Sequence, residues 1–291
     1  MSIALSPLDR ELIALIGEYM VPITLGIARV GAIFFWLPYL SSGAIASPVA
    51  RAAIAAAVVV GMWPVTDTAQ LPQGLLAIAL ATATEVLVGT AIGLMVSLPF
   101  HIFYAVGAIV DNQRGASISA ALDPLTGIEA TETAHLLNMT GALIFLMSGG
   151  MVSLMQVIQA SYGLVPMGAH WIVNDGAATG YLSVLLAESV RMAMPVLIVL
   201  FLVEVFLGIL SRFAEQMNPF AVSLGIKSFV AFIALAMYLM WMMVDQVPAM
   251  WQLHNGLELI KAAVPPWNPK SPPPSACSSN RRRVPVTAVV T

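Results

Sequence analysis

Six ionisable residues interrupt the long apolar stretches of this chain, and residues of these types can relay a proton or an ion. A charge near the centre of a bilayer costs about 2.5–3.5 kcal/mol on insertion scales, so such residues normally face protein or water. Alternatively, these charges neutralise one another in pairs at helix–helix contacts. The sequence favours this interpretation, because the charges do not recur at the regular spacing of a proton relay. A third reading is that several of these helices do not lie in lipid. The six residues are Glu18, Arg29, Glu85, Glu188, Arg191 and Glu204.

Only one pair of these charges is close in sequence. Glu188 and Arg191 are three residues apart, so on a helix they can pair with each other. Glu18 and Arg29 share a helical face but are three turns apart, too far to touch.

No recognised catalytic motif accompanies the charges. The sequence contains no Walker loop, HExxH or GxSxG motif. Its four histidines lack metal-ligand spacing, and the single cysteine, Cys277, excludes an internal disulfide and a cysteine-based zinc site. The net charge of -3, with no basic face, gives no indication of nucleic-acid binding. We therefore expect no enzymatic activity, no metal or cofactor, and no nucleic-acid partner.

The composition indicates a membrane protein. The 291 residues are 59% hydrophobic and 9% charged, with a mean hydropathy of +0.89, whereas soluble proteins have about 25% charged residues. Long runs of Ala, Leu, Ile, Val and Met do not suit the alternating strands of a β-barrel, and about 20 apolar residues in a helix cross a bilayer. The sequence predicts an all-α integral membrane protein with about six long hydrophobic segments, at residues 12–38, 45–65, 75–110, 136–160, 182–211 and 229–247.

Two of these segments are longer than a bilayer requires, and each contains a proline. Because proline removes a backbone hydrogen bond, we expect a break near Pro99 and another near Pro195. Gly89 and Gly93, four residues apart, are small enough to allow close approach of a second helix.

A polar, glycine-bearing stretch runs from Asp111 to Glu132 between two apolar segments. A structureless run of this length inside a compact domain is usually functional or disordered. It also contains a predicted turn from Asp123 to Gly127. Composition alone favours an ordinary solvated loop.

Two further stretches carry structural signals. Residues 212–228 predict a sharp hairpin, or a plain connector, between the last two helices. Its candidate residues are Glu215, Gln216, Asn218, Pro219 and Lys227. From Pro265 onward the chain is rich in proline and serine, which predicts a disordered tail, residues 265–291, after a helical domain, residues 1–264.

The distribution of basic residues conflicts with simple serial spanning. Six spans place both termini on one side, and the basic tail makes that side cytoplasmic. Strict alternation then places Arg114, Arg212 and Lys227 outside, while residues 66–74 and 161–180 contain no Lys or Arg. Serial spanning by all six segments therefore violates the positive-inside rule in the middle of the chain.

Three ordered motifs resemble the SctT/FliR family of type III secretion export-gate proteins, in the injectisome branch. They extend the resemblance over about residues 10–260, without the tail. The first motif is Asp111-Asn112-Gln113-Arg114-Gly115, leading to Asp123-Pro124 and Gly127. The second is Leu164-Val165-Pro166-Met167-Gly168. The third is Ala214-Glu215-Gln216-Met217-Asn218-Pro219-Phe220.

The resemblance implies a fold, a function and partners. One such subunit joins several copies of SctR-like and SctS-like proteins in a helical cone around an export channel in the bacterial inner membrane. Helical hairpins are then lifted largely out of the bilayer. Residues 12–160 would form an SctR-like part and residues 182–260 an SctS-like hairpin part, as in a fusion of the two. SctU-like and SctV-like components, membrane lipids and translocated unfolded proteins are the other implied partners.

The same resemblance assigns the polar stretch a role as a plug in the closed channel. Small side chains fit a narrow lumen, and the glycines give the loop conformational freedom. The charged side chains would anchor the loop to neighbouring subunits. The implied plug residues are Asp111, Asn112, Gln113, Arg114, Gly115, Ala116, Ser117, Asp123, Pro124, Gly127 and Glu129.

The alternative function is a proton- or cation-coupled secondary transporter, with Glu85, Glu188 and Glu204 on the ion path.

Overall fold

The computed structural model describes residues 7–41, 45–62, 74–115, 131–167, 175–213 and 219–250. At the helix ends 7–19, 175–178, 219–221 and 240–250 it describes the backbone only. Every element in these residues is an α-helix, which confirms the all-α prediction. The helices are α1 (Pro7–Trp36), α2 (Pro48–Gly61), α3 (Leu75–Arg114), α4 (Glu132–Met147), α5 (Gly150–Leu164), α6 (Asp175–Phe213) and α7 (Pro219–Met250).

The predicted count of six long segments is not confirmed. By length and hydropathy, three of the described helices can cross a membrane, namely α3, α6 and α7. The pair α4 and α5 adds a fourth if the two together form one broken span. Helix α2 and the part of α1 from Met20 onward are shorter apolar helices.

The predicted segment 136–160 is two helices instead of one, with an angle of 82° between them. The break lies at Gly149, whose φ of +81° is a left-handed conformation that glycine adopts without steric cost. Gly150 follows immediately, and a Cβ there would overlap the ring of Phe145. The chain therefore turns sharply because two adjacent glycines allow it.

The predicted breaks at Pro99 and Pro195 are wrong, since α3 and α6 continue through both prolines. Pro99 is buried, and the next residue, Phe100, is 1% exposed in the core. A proline inside a helix costs about 3 kcal/mol, and burial of the large side chains around Pro99 offsets that cost.

Helix α3 is the central element, because it packs against α1, α4, α6 and α7. Its first half shares a hydrophobic core with α1, α2 and α5, represented by Ile33, Ile92 and Ile158. Its second half shares another with α4, α6 and α7, in which Phe103 and Leu200 are fully buried. The last two helices are thus docked on the second half of α3.

Close approach of α1 and α3 is confirmed at the two predicted glycines. A Cβ on Gly89 would overlap the carbonyl oxygen of Arg29, and one on Gly93 would lie 3.0 Å from Cα of Ile33. The absence of side chains at these positions lets the two backbones touch.

Candidate functional site

The functional candidates converge on the last turn of α3. The sequence placed Asp111–Arg114 in a loop, but these residues are helical and α3 ends only at Gly115. Gly115 has a φ of +88°, and its N–H bonds to the carbonyl oxygens of Asp111 and Asn112. This left-handed glycine is a common helix C-terminal signal, so the helix includes the polar residues that precede it.

Asp111 holds the start of α4. Its side chain is 1% exposed, and its Oδ2 accepts hydrogen bonds from the backbone N–H groups of Thr133 at 2.9 Å and Ala134 at 3.4 Å. The first N–H groups of a helix have no partner within that helix, and its N-terminus favours negative charge. Thr131 at the N-cap makes no side-chain cap bond, so Asp111 from α3 supplies the cap of α4.

Arg114 connects the same carboxylate to α7. Its Nε donates to Oδ1 of Asp111 at 2.8 Å, and its guanidinium carbon lies 5.1 Å from the ring centroid of Phe232. A cation at this distance from an aromatic face is attracted to it. Leu224, also on α7, occupies the space beside Gly115, where a Cβ would lie 2.5 Å from Leu224 Cδ2.

A second polar contact joins α3 to α6 and α7. Gln113 Nε2 donates to Oε2 of Glu204 at 3.4 Å, and Lys227 Nζ lies 3.0 Å from Oε1 of the same carboxylate. Lys227 was predicted in a hairpin turn, but it lies inside α7, and Pro219 is the first residue of that helix. Proline is well tolerated at this position because its missing N–H would have no helical partner.

Several predicted residues lie outside the described part of the chain. They are Ala116, Ser117, Asp123, Pro124, Gly127 and Glu129 of the plug stretch, and Glu215, Gln216 and Asn218 of the hairpin turn. The predicted tail, residues 265–291, is also outside it. Among the described plug residues, Asn112 is exposed.

The predicted pairing of the intramembrane charges is found at three places. Arg29 Nε donates to Glu85 Oε2 at 2.5 Å, with both side chains buried. Arg191 Nη2 lies 2.8 Å from Oε2 of Glu188, and Glu204 pairs with Lys227 as above. Glu18 lies in the part of α1 whose side chains are not described.

Arg29 has further partners beyond the one acid. Its Nη2 donates to the carbonyl oxygen of Val165 at 2.9 Å, its Nη1 to Ser161 Oγ at 3.4 Å, and its guanidinium lies 4.3 Å from the ring centroid of Tyr162. Arg29 thereby joins α1, α3 and the end of α5, where the Leu-Val-Pro-Met-Gly motif begins.

Sequence reasoning missed the partner residues. Thr133 had a detectable signal, because the polar Thr131-Glu132-Thr133 precedes an apolar run in the manner of a helix start, yet the helix was predicted from residue 136. Phe232 and Ser161 had none, since they are an ordinary apolar and an ordinary small residue within helices. Within the described residues, no group of three or more His, Cys, Asp or Glu side chains is placed to hold a metal ion.

Comparison with known proteins gives one consistent result. Residues 20–252 match the family described as bacterial export proteins, family 1. The chain is 39% identical over 223 residues to the surface presentation of antigens protein SpaR of Salmonella typhimurium, covering 77% of this chain and 84% of that protein. It is 30% identical over 254 residues to the Yop proteins translocation protein T of Yersinia pestis, covering 84% and 96%. The flagellar biosynthetic protein FliR of Pectobacterium carotovorum is more distant, at 26% identity over 159 residues, covering 53% and 60%.

Proposed function

The chain belongs to the bacterial export proteins, family 1, and we propose that it is part of the export gate of a type III secretion system. This is the family that its sequence motifs resemble. In this role it lines the channel through which unfolded proteins cross the bacterial inner membrane, at the base of the secretion system. Its long apolar helices support a multi-pass membrane location. Family membership over residues 20–252 is the observation that carries the proposal.

In this proposal the chain between α3 and α4, residues 116–130, is the plug of the closed channel, and the last turn of α3 and the start of α4 hold its two ends. The support is the contact of Asp111 with Thr133, which joins residues 22 positions apart in the sequence. The end of α3 and the start of α4 therefore lie side by side. A loop that enters a channel lumen from one side and returns to the same side needs its two ends to be adjacent in this way. Asp111 and Thr133 are both buried, so the contact that joins the two helix ends lies inside the protein.

The proposed partners are SctR-like and SctS-like subunits, with SctU-like and SctV-like components beside them. The outer surface of α6 supports a protein environment, because it combines exposed aromatic and charged side chains. Phe206 and Phe213 are 65% and 82% exposed, while the side chains of Arg191 and Glu204 are 67% and 52% exposed. Lipid accommodates exposed aromatic side chains but disfavours charged ones. Other protein subunits can cover both kinds of side chain.

The charge pairs favour the channel component over the secondary transporter. A carboxylate that relays protons needs access to water or to another titratable group. Glu85 instead is 2% exposed and bonded to Arg29, and Glu188 and Glu204 each have a basic partner. These contacts are those of structural ion pairs.

The decisive experiment removes residues 116–126 from the chain in cells that carry the complete secretion system. We expect the membrane to become leaky to small molecules while the complex still assembles, because the Asp111–Thr133 contact lies outside the deletion. The matched control replaces the same residues with a glycine-serine segment of equal length, which keeps the chain length but not the sequence. An assembled deletion complex with unchanged permeability contradicts the plug.

Purification in mild detergent tests the assembly separately. A large complex containing this chain and its proposed partner subunits is expected. A monomer or homodimer that takes up small solutes contradicts the proposal and supports the transporter.

A further inference from the structure

We infer that the last turn of α3 is a mechanical joint that couples the position of α7 to the start of α4. We call Asp111, Arg114, Thr133, Ala134 and Phe232 the Asp111 joint. They come from three helices, and each consecutive contact among them is direct. This inference does not depend on the channel role, because it concerns only contacts within the chain.

The carboxylate of Asp111 is shared between the two sides of the joint. Oδ2 accepts from the two backbone N–H groups of α4, and Oδ1 accepts from Arg114. The two oxygens belong to one planar carboxylate. If this carboxylate rotates to keep its bond to Arg114, the oxygen that accepts from the α4 amides moves as well. Asp111 is 1% exposed, so its carboxylate is held by these protein donors.

Arg114 transmits the position of α7. Its side chain is 14% exposed and lies between Asp111 and the ring of Phe232. The backbone around this contact has little freedom, because Gly115 ends α3 against Leu224 and a Cβ on Gly107 would overlap the backbone of Ala134. A shift of α7 therefore acts on the Arg114 side chain through Phe232 and on the end of α3 through Leu224.

The coupling has a specific observable, the hydrogen exchange of the Thr133 and Ala134 amides. Exchange requires these N–H groups to lose their acceptor, so it reports the position of the Asp111 carboxylate directly. Because α7 also packs directly against α4, a substitution of Phe232, which contacts Arg114, must be compared with a control substitution on the same helix.

The test compares two substitutions on α7 in the purified full-length protein within its complex. Phe232→Ala removes the ring beneath Arg114, whereas Phe229→Ala removes a 68% exposed ring one turn earlier on the same helix. We expect Phe232→Ala to accelerate exchange at Thr133 and Ala134 by about two- to fivefold, which corresponds to the loss of one cation–π contact. Phe229→Ala should leave it unchanged.

Two further measurements keep the result interpretable. Amides of α5, such as that of Ile158, report whether Phe232→Ala loosens the whole protein, and they should retain their protection. Asp111→Asn removes the charge directly and sets the maximum acceleration. Unchanged exchange at Thr133 and Ala134 in Phe232→Ala, with accelerated exchange in Asp111→Asn, overturns the inference. If Phe232→Ala fails to fold, Phe232→Leu replaces it, and the same two outcomes apply.

Discussion

Arg29 on α1 and Glu85 on α3 form an ion pair in which the two side chains are 0% and 2% exposed. Burying charges is expensive unless every polar group is satisfied. Here the guanidinium also bonds to Ser161 and to the carbonyl oxygen of Val165, so its donors reach both α3 and the end of α5. The pair thus fixes the arrangement of α1, α3 and α5.

Breaking this pair should be severely destabilising. Glu85→Gln or Arg29→Met leaves one buried group without its charge partner, and such a change costs about 3–5 kcal/mol. We expect a lower melting temperature of the detergent-purified complex for each single variant. The double variant Arg29→Met, Glu85→Met should recover part of the loss, because neither charge of this pair then remains buried without its partner.

The matched control is Arg191→Met, which breaks the ion pair on the outside of α6. Exposed pairs contribute about 0–1 kcal/mol, and the Arg191 side chain is 67% exposed. If Glu85→Gln melts like Arg191→Met, the buried pair does not stabilise the fold as argued.

Gly89→Ala tests the contact between α1 and α3. The added methyl group would overlap the backbone carbonyl of Arg29, which cannot move aside without shifting the helix. Overpacking of this kind costs about 1–3 kcal/mol. Gly31→Ala, a helical position with nothing within 4 Å of the new Cβ, should instead gain up to about 1 kcal/mol in helix propensity. Equal melting temperatures for the two variants would disprove the close contact.

Three kinds of feature were accessible from the sequence. Composition and apolar run length predicted the helices, and the order of three motifs predicted the family. The Glu188–Arg191 pair was predicted as well, because helix geometry relates residues at i and i+3. The Arg29–Glu85 pair joins residues 56 positions apart, and no local rule connects them.

Helix boundaries and breaks were predicted less well, for a physical reason. Pro99 was expected to break α3 and does not, while Gly149 was given no such role and separates α4 from α5. Local preference is a weak term that packing can override. Burial around Phe100 keeps α3 continuous, and the fit of Phe145 against Gly150 favours the sharp turn.

Glu188→Gln and Glu204→Gln distinguish a structural role of the exposed pairs from ion coupling. Each change removes one partly exposed ion pair, which is worth about 0–1 kcal/mol. Secretion of a reporter substrate and assembly of the complex should therefore persist in both variants. If either variant assembles normally but no longer secretes, that carboxylate takes part in ion coupling and the transporter reading gains support.

Gly149→Ala tests the turn between α4 and α5. Its φ of +81° is unfavourable for any residue with a Cβ, and the left-handed conformation costs about 1–2 kcal/mol. The control is Gly163→Ala inside α5, where nothing lies within 4 Å of the new Cβ and the stability should not fall. Melting temperatures of the purified complex measure both.

The turn at Gly149 fixes the start of α5, and the hydrogen bond from Arg29 to Val165 fixes its end. Because α5 must fold back at 82° for Val165 to reach Arg29, a protein that has already lost one constraint should lose less from removal of the other. The double variant Gly149→Ala, Arg29→Met should therefore be less destabilised than the sum of the single variants, by about 0.5–3 kcal/mol, the range found for coupled sites. Strict additivity in this double-mutant cycle would mean that the bend and the ion pair position α5 independently.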